Sequence, residues 1–376
     1  MIKSNFVCLE GLRAWMAWWV VVGHAIHLAG VPVWIPQAAS DFLTKGGVAV
    51  NVFIMISGFV ITHLLVNKSE GYVAYITRRF FRIFPIYILC IVVSVAFVGM
   101  YEAVYAEPSW VFEKEMRGDR LLHQDENFFW HSIAHLTMLH GAIPESILKY
   151  ASTTFLAPAW SLSLEWQFYL VAPLILFFMK RSLTCASFVC AALLVLGFAS
   201  KALFATAYPF PSMLFLSIQF FLIGIISRLL FPTVAVLKEK VWPVAIPIIA
   251  SMLFLRSIEG IIWTVFMVFC VVELDGVRMP RWLQRLQFVF GVNRVVRYFG
   301  ACSYSTYLAH IPVFVLVVSL VGRFQDVGNQ TVFQIAVLFA MLVTAVVSPL
   351  LYHWVEKPFI AVGKRIAINR EAGRNG

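Results

Sequence analysis

The sequence predicts an all-α integral membrane protein with about ten transmembrane helices. Of its 376 residues, 61% are hydrophobic and only 13% are charged, whereas soluble domains average about 45–50% apolar and about 25% charged residues. The mean hydropathy is +0.84, and the apolar residues recur in runs of roughly 18–22, the length that a helix needs to cross a bilayer. One water-soluble core cannot hide so many apolar runs, so we expect a polytopic helical protein.

The apolar runs divide the chain into ten predicted spans with mostly short connections. Glu10 and Arg13 interrupt the start of the first run and further spans follow it, which favours a retained first helix over a cleaved signal peptide. We expect residues 1–355 to form a single transmembrane domain, 102–154 to be an outer loop within it, and 356–376 to be a basic cytoplasmic tail. The predicted spans are 8–29, 46–66, 82–101, 155–179, 183–201, 211–231, 242–257, 260–275, 299–320 and 332–353.

The positions of the basic residues predict the orientation of the chain. With the N-terminus in the cytoplasm, most of the 29 Lys and Arg residues fall in cytoplasmic segments, as the positive-inside rule requires. We therefore expect both termini in the cytoplasm, and the short inner loops suit the inner (cytoplasmic) membrane of a bacterium. This topology and contact with membrane lipids account for the net charge of +10, so no nucleic-acid partner is expected.

The outer loop 102–154 is rich in histidine and aromatic residues. The run Phe128–Trp130 and the spacing of His131 and His135 predict a short helix on the membrane surface. We expect the loop histidines to be solvated or interfacial and not metal ligands, because no Cys or dense carboxylate cluster accompanies them. The six Cys residues form no C-x-x-C pair and are expected to pack as small apolar side chains.

The first predicted span contains two polar side chains, Arg13 and His24. A charged group inside a span costs roughly 2.5–3.5 kcal/mol on insertion scales, so each requires a reason. The two residues share one helix face and are separated by about 16 Å along the axis, with Arg13 near the cytoplasmic end and His24 in the outer half. Either they serve catalysis, or Arg13 extends to the interface and His24 bonds another helix.

Two further segments place charge in or beside the membrane. Arg79 and Arg82 lie one turn apart where the third span leaves the cytoplasm, and they either anchor that helix or bind phosphates through bidentate guanidinium contacts. Glu165 lies inside the fourth span at a depth that His24 can reach, and Ser161 shares its helix face. An intramembrane carboxylate is a functional candidate by default, although ion pairing for packing is the alternative.

The ninth span has a polar face formed by Ser303, Tyr307 and His310. Polar contacts between helices are the favoured interpretation of this face, and a lining of a pocket is the other. The chain contains no Walker-type phosphate loop, no G-x-S-x-G elbow and no zinc-binding H-E-x-x-H segment. Nucleotide hydrolysis, serine-nucleophile hydrolysis and zinc catalysis therefore have no support in the sequence.

Five segments, in order along the chain, resemble the motifs of the membrane acyltransferase-3 family. Each motif alone is weak, but five in the right order are specific, and the resemblance covers the whole chain. They are Leu9–Arg13 with His24 (an arginine–ten residues–histidine signature), Asn51–Phe59 (Ser-Gly-Phe/Tyr), Arg79–Pro85 (arginine–two residues–arginine), Ser161–Glu165 (Ser-Leu-Ser-x-Glu) and Val355–Pro358 (Glu-x-Pro).

The sequence departs from the family pattern at three positions. Glu10 stands where Asp is more usual, Trp166 where a second Glu is common, and Lys357 where Arg often appears. Trp166 leaves Glu165 without an adjacent carboxylate, so a proton shared between two carboxyl groups has no support. Because the chain ends at Gly376, we expect no fused extracytoplasmic hydrolase-like domain.

The resemblance implies an acyl transfer in which acetyl-CoA or another acyl-CoA is the co-substrate, with no bound cofactor and no metal. We expect His24 to act as general base or to hold the acyl group transiently, with Glu165 orienting its imidazole. The residues expected to meet the phosphates of CoA from the cytoplasm are Arg13, Arg79 and Arg82. The residues expected to line the pocket are Ser57, Ser161, Tyr307 and His310.

The acceptor that the resemblance implies is a hydroxyl group of a cell-envelope, lipid-linked or exported saccharide. The competing class is a secondary transporter or carrier of a lipid-linked sugar, which also places Arg, His and Glu side chains at mid-membrane for proton coupling. No inverted repeat supports that alternative. A third hypothesis is a membrane sensor that binds its ligand without turnover.

Overall fold

The computed structural model describes residues 6–68, 70–237, 257–273 and 280–375. Within these ranges the chain is helical and contains no strand, which confirms the predicted all-α class. Six helices there are long and apolar enough to cross a membrane, and two shorter apolar helices accompany them. The chain is a multi-pass membrane protein, whereas the count of ten spans and the position of both termini stay predictions. The predicted span 242–257 lies outside the described residues, apart from Ser257.

The helices are numbered here in chain order. The first seven are α1 (Val7–Ala29), α2 (Gln37–Leu43), α3 (Gly46–Asn67), α4 (Tyr72–Ala96), α5 (Val98–Tyr105), α6 (Lys114–Glu126) and α7 (Phe128–Leu136). The others are α8 (Trp160–Met179), α9 (Leu183–Phe204), α10 (Ile218–Leu237), α11 (Ile258–Val272), α12 (Arg281–Gln287), α13 (Arg294–Ala301), α14 (Ser303–Val321), α15 (Gln330–Leu351) and α16 (Lys357–Asn375).

The centre of the bundle is formed by α1, α3 and α14. Among the six long spans of the described chain, α14 is the most buried and α9 the least. α1 packs against α3, α13 and α14, and α3 packs along α10. Gly58 of α3 and Gly224 of α10 make this last approach possible, because a Cβ atom at either position would overlap the backbone of the other helix.

The start of α1 is held by a carboxylate at the C-terminal end of another helix. Glu273, which directly follows α11, accepts hydrogen bonds from the backbone N–H groups of Val7 (3.0 Å) and Cys8 (2.6 Å). The first N–H groups of a helix have no partner within the helix, and a negative charge at this end is favourable. This contact fixes α1, and with it Arg13 and His24, relative to the rest of the bundle.

The predicted start of the third span, residue 82, is wrong by ten residues. α4 begins at Tyr72, so Arg79 lies within the helix and not before it, and Arg82 lies ten residues from the start and not at it. The apolar run is shorter than the helix because its polar first turns pack against α16, where the rings of Phe81 and Phe359 stack with centroids 6.5 Å apart. The predicted tail after residue 356 is therefore mostly a helix that lies along α4.

The predicted start of the sixth span, residue 211, is also wrong, because α10 begins at Ile218. The preceding segment is irregular, and the side chain of Gln167 satisfies its backbone. The Gln167 amide donates to the carbonyl of Ser212 and its oxygen accepts from the N–H of Leu214, both at 2.9 Å. Irregular backbone at membrane depth requires such partners, and periodicity in the sequence does not reveal them.

The outer loop contains the end of α5 and two whole helices, α6 and α7, of which α7 confirms the predicted short helix. The prediction that its histidines are solvated or interfacial is wrong for His131, His135 and His140, which are fully buried. His131 and His135 lie on the buried face of α7 and His140 follows it, and the hydroxyl of Tyr87 on α4 is 2.8 Å from Nδ1 of His135. Burial lowers the pKa of His131 and of His140 to about 4, so both rings are neutral near pH 7.

Candidate active site

A cavity of about 70 Å³ lies at the centre of the bundle. It is enclosed by side chains of α1, α3, α4, α8, α10 and α14, and it has room for several water molecules, each of which needs roughly 10–15 Å³. Most of its polar lining comes from residues that the sequence singles out. The polar and charged lining residues are Arg13, Ser57, Arg82, Ser161, Glu165, Tyr169, Ser303, Tyr304 and Tyr307.

Glu165 is held in the cavity wall by two hydroxyl groups. Ser57 of α3 donates to Oε1 at 2.8 Å, and Tyr169, one turn along α8, donates to the same oxygen. Both bonds suit an ionised carboxylate, which only accepts. The expectation that Glu165 orients the imidazole of His24 is not supported, because no hydrogen bond joins the two residues in the described part of the chain.

Arg13 and Arg82 place two guanidinium groups on the same cavity. Neither makes a hydrogen bond or a close ion pair with another described residue, so their N–H donors are available to a ligand. Arg13 is subject to the repulsive field of Arg82 and to the attractive field of Glu165. Two cations that repel each other and face a small cavity form a site that suits a phosphate or another anion.

A second carboxylate, Glu356, lies behind these arginines. It is 1% exposed, and one oxygen accepts a hydrogen bond from Ser305 at 2.9 Å. Its other oxygen, Oε1, has no hydrogen-bond partner among the described residues. The charge of Glu356 acts on both Arg82 and Arg13, and opposite charges nearby reduce the cost of burying it.

Glu356 was not among the predicted site residues. The signal that identifies it is its position, an acidic residue at the end of an apolar span within the Glu-x-Pro motif. Tyr169 and Tyr304 were not predicted as lining residues either. Only the packing of α4, α8 and α14 around one space shows that they contribute.

His24 forms a pair with His310 of α14, with 2.8 Å between Nδ1 of His24 and Nε2 of His310. The other nitrogen of His310, Nδ1, lies 3.3 Å from the carbonyl oxygen of Thr306. Because a carbonyl only accepts, Nδ1 of His310 carries its proton and Nε2 is an acceptor. His24 therefore donates from Nδ1, and its Nε2 carries a lone pair with no partner among the described residues.

Tyr307 connects this histidine pair with the cavity. Its ring lies 6.3 Å from the ring of His310, measured between centroids, and its hydroxyl reaches Ser161 Oγ at 2.8 Å and the carbonyl of Pro158 at 3.0 Å. Neither histidine lines the cavity itself, but an unprotonated imidazole nitrogen such as Nε2 of His24 is suited to removing a proton from an alcohol.

Arg79 is set apart from the other predicted arginines. It does not line the cavity. Its guanidinium lies 5.9 Å from the ring centroid of Tyr169, whose hydroxyl group donates a hydrogen bond to Glu165. The neighbouring Arg78 is paired with Glu70 at 3.1 Å. The structure thus brings six of the nine predicted residues to the cavity and pairs His24 with His310, which contacts the lining residue Tyr307, while the roles of all nine stay predictions.

In the described part of the chain, no three His, Cys, Asp or Glu side chains are grouped closely enough to hold a metal ion. His135 and His140 contact Tyr87 and each other instead, with their rings stacked at 4.0 Å between centroids.

Comparisons with known proteins agree with the motifs. The family model described as an acyltransferase domain, acyltransferase-3, matches residues 6–353. The acyltransferase MdmB of Streptomyces mycarofaciens is 26% identical over 93% of this chain and 90% of its own length. The putative peptidoglycan O-acetyltransferase YrhL of Bacillus subtilis is 22% identical over 96% of this chain, which spans 57% of that protein.

A shorter match joins a 99-residue part of the chain to the O-acetyl transferase of Shigella phage Sf6, with 31% identity over 26% of this chain and 28% of that protein. No solved structure is significantly similar to the chain. The family match covers nearly the whole sequence and includes every residue of the cavity. The chain therefore belongs to the acyltransferase-3 family and is a membrane acyltransferase.

Proposed function

We propose that this protein transfers an acyl group, with acetyl as the default, from cytoplasmic acyl-CoA to a hydroxyl group of a cell-envelope, lipid-linked or exported saccharide. The observation that carries the proposal is the cavity itself, with two guanidinium groups, Arg13 and Arg82, on its wall and a histidine pair in contact with its lining residue Tyr307. Cations for a phosphorylated donor and a base for a hydroxyl acceptor are the two components that such a transfer requires.

The donor side of the proposal rests on the arginines. CoA is a phosphorylated co-substrate, and Arg13 and Arg82 have free N–H donors, while Arg79 lies one helical turn from Arg82 along α4. Planar guanidinium groups bind phosphate oxygens bidentately. Under the proposed orientation, with both termini in the cytoplasm of a bacterial cell, these residues lie nearer the cytoplasmic end of the bundle than His24 does.

The chemistry rests on His24. Its Nε2 lone pair takes the proton of the acceptor hydroxyl while the hydroxyl oxygen attacks the thioester carbonyl of acetyl-CoA. The carbon–sulfur bond breaks, CoA leaves as a thiolate, and the proton on His24 is then returned to that thiolate. The same lone pair permits the alternative in which His24 attacks the thioester first and holds the acetyl group before the acceptor receives it.

The acceptor is argued from the relatives. Two of them are named as O-acetyltransferases, and one of those names specifies peptidoglycan, which supports a hydroxyl of a saccharide outside the cytoplasm. A transporter or carrier of a lipid-linked sugar is not favoured, because the match to an acyltransferase family covers most of the chain.

The test is release of free CoA by the purified protein from acetyl-CoA in the presence of candidate acceptors. His24→Ala should reduce acetyl transfer by about 10²–10⁴-fold, the usual contribution of general acid–base catalysis, while His353→Ala, an exposed histidine, should leave it unchanged. Mass spectrometry of envelope glycans from cells with and without the protein should show the loss of acetyl groups. Unchanged transfer by stable, membrane-inserted His24→Ala protein would exclude the assignment.

A further inference from the structure

The outer loop is attached to α1 one helical turn beyond His24. The backbone N–H of Phe112 donates to the carbonyl of His27 at 2.9 Å, and the two rings stack with centroids 4.8 Å apart. Phe112 is nevertheless 52% exposed. His27 is about 4.5 Å along the helix axis from His24, so an aromatic face borders the end of the bundle at which His24 lies.

Arg117 of α6 lies next to Phe112. Its Nε donates to the carbonyl of Phe112 at 2.9 Å, and its guanidinium lies 5.0 Å from the ring centroid of Tyr105. No carboxylate is paired with it in the described ranges, and its two terminal nitrogens make no hydrogen bond there. Its charge acts on both His24 and His27, so the proposed base lies within the electrostatic range of an unneutralised cation.

Trp110 adds an unused donor on this side of the bundle. Its indole N–H is buried and has no partner among the described residues, while its ring packs edge-on against Phe333 at 5.4 Å between centroids. A buried donor without a partner costs about 1–3 kcal/mol. The buried indole N–H does not reach the surface, so the surface consists of the aromatic face of Phe112 and the guanidinium of Arg117, which suit a polar ligand with a flat apolar side.

We propose that Phe112, His27 and Arg117 form the acceptor-binding subsite and that the acceptor is an anionic saccharide, with a carboxylate or phosphate group close to the hydroxyl that is acetylated. This inference rests on the proposed function and names its substrate class. The guanidinium of Arg117 binds the anionic group, and the ring of Phe112 packs against the sugar. The phosphates of CoA do not explain Arg117, because Arg13 lies about 16 Å from His24 along α1, towards the opposite end.

The inference is tested with three sugar probes on the purified full-length protein in detergent. Saturation-transfer NMR titrations compare D-glucuronate, glucose 1-phosphate and the neutral methyl glucoside. We expect tighter binding of one or both anionic sugars, a loss of at least tenfold in that affinity in Arg117→Gln, and partial retention in Arg117→Lys. Arg323→Gln is the matched control, because Arg323 is exposed at the same end of the bundle and its loss removes the same charge.

Equal affinity of the wild-type protein for the three probes would overturn the inference, as would unchanged binding of the anionic sugars by Arg117→Gln. A parallel loss for the neutral sugar would show that Arg117 only supports the fold through Tyr105. Binding to glucuronate alone identifies a carboxylate acceptor, and binding to the sugar phosphate alone a phosphate acceptor. Release of CoA from acetyl-CoA is measured separately, so turnover without anionic preference overturns this inference and leaves the proposed function intact.

Discussion

Removal of Nε2 of His310, which accepts a hydrogen bond from His24, should impair His24 as the general base. It should not affect the binding of acetyl-CoA. In His310→Leu, the Nδ1–H of His24 loses its partner at 2.8 Å, and nothing then holds the proton on that nitrogen. Leaving a buried donor unsatisfied costs about 1–3 kcal/mol. At 1.36 kcal/mol for each factor of ten, the expected decrease in kcat is about 5- to 150-fold.

The assay is CoA release at saturating acceptor, with kcat and the KM for acetyl-CoA determined separately. KM for acetyl-CoA should stay unchanged, because Arg13 and Arg82 belong to the cavity and not to the histidine pair. His310→Gln should recover much of the rate, since its amide oxygen can accept from His24. His353→Leu is the control for loss of an exposed histidine. Equal rates for His310→Leu and the wild type, or equal losses in His310→Leu and His310→Gln, would refute the reasoning.

Three further predictions concern stability. Glu356→Gln, which removes a buried charge that acts on Arg82, should lower the free energy of unfolding by about 1.5–3 kcal/mol. Glu10→Gln breaks only the exposed pair with Arg297 at 3.3 Å and should lower it by under about 1 kcal/mol. Equal melting temperatures of the two variants would contradict this. Gly224→Leu should separate α3 from α10, because a Cβ there already overlaps the backbone of Met55, and wild-type thermal stability of the variant would be inconsistent with the packing. Because the pKa of His131 and of His140 is lowered to about 4, the unfolded chain binds more protons than the folded one below about pH 6.5. The protection of segment 128–142 in hydrogen exchange should therefore fall as the pH decreases from about 6.5 to 4, and constant protection over that range would disprove the burial argument.

The sequence alone determined the features that depend on local pattern. Apolar runs of membrane length predicted the all-α class and most of the long helices, because a helix in lipid must satisfy its own backbone whatever its neighbours are. The motif order around Arg13, His24 and Glu165 predicted the family, which the match over residues 6–353 shows. It also identified six residues that line a single cavity.

Contacts between distant residues were decided by the tertiary structure. The partner of His24 is His310 and not Glu165, because the bundle brings α14 next to α1 while Ser57 and Tyr169 hold the carboxylate on another wall. Glu356 acts on Arg82 only because the turn Tyr352–Glu356 packs against α4, and His135 is buried only because α7 packs over Tyr87. Such pairings depend on which helix faces meet, and helix periodicity specifies a face without specifying its neighbour.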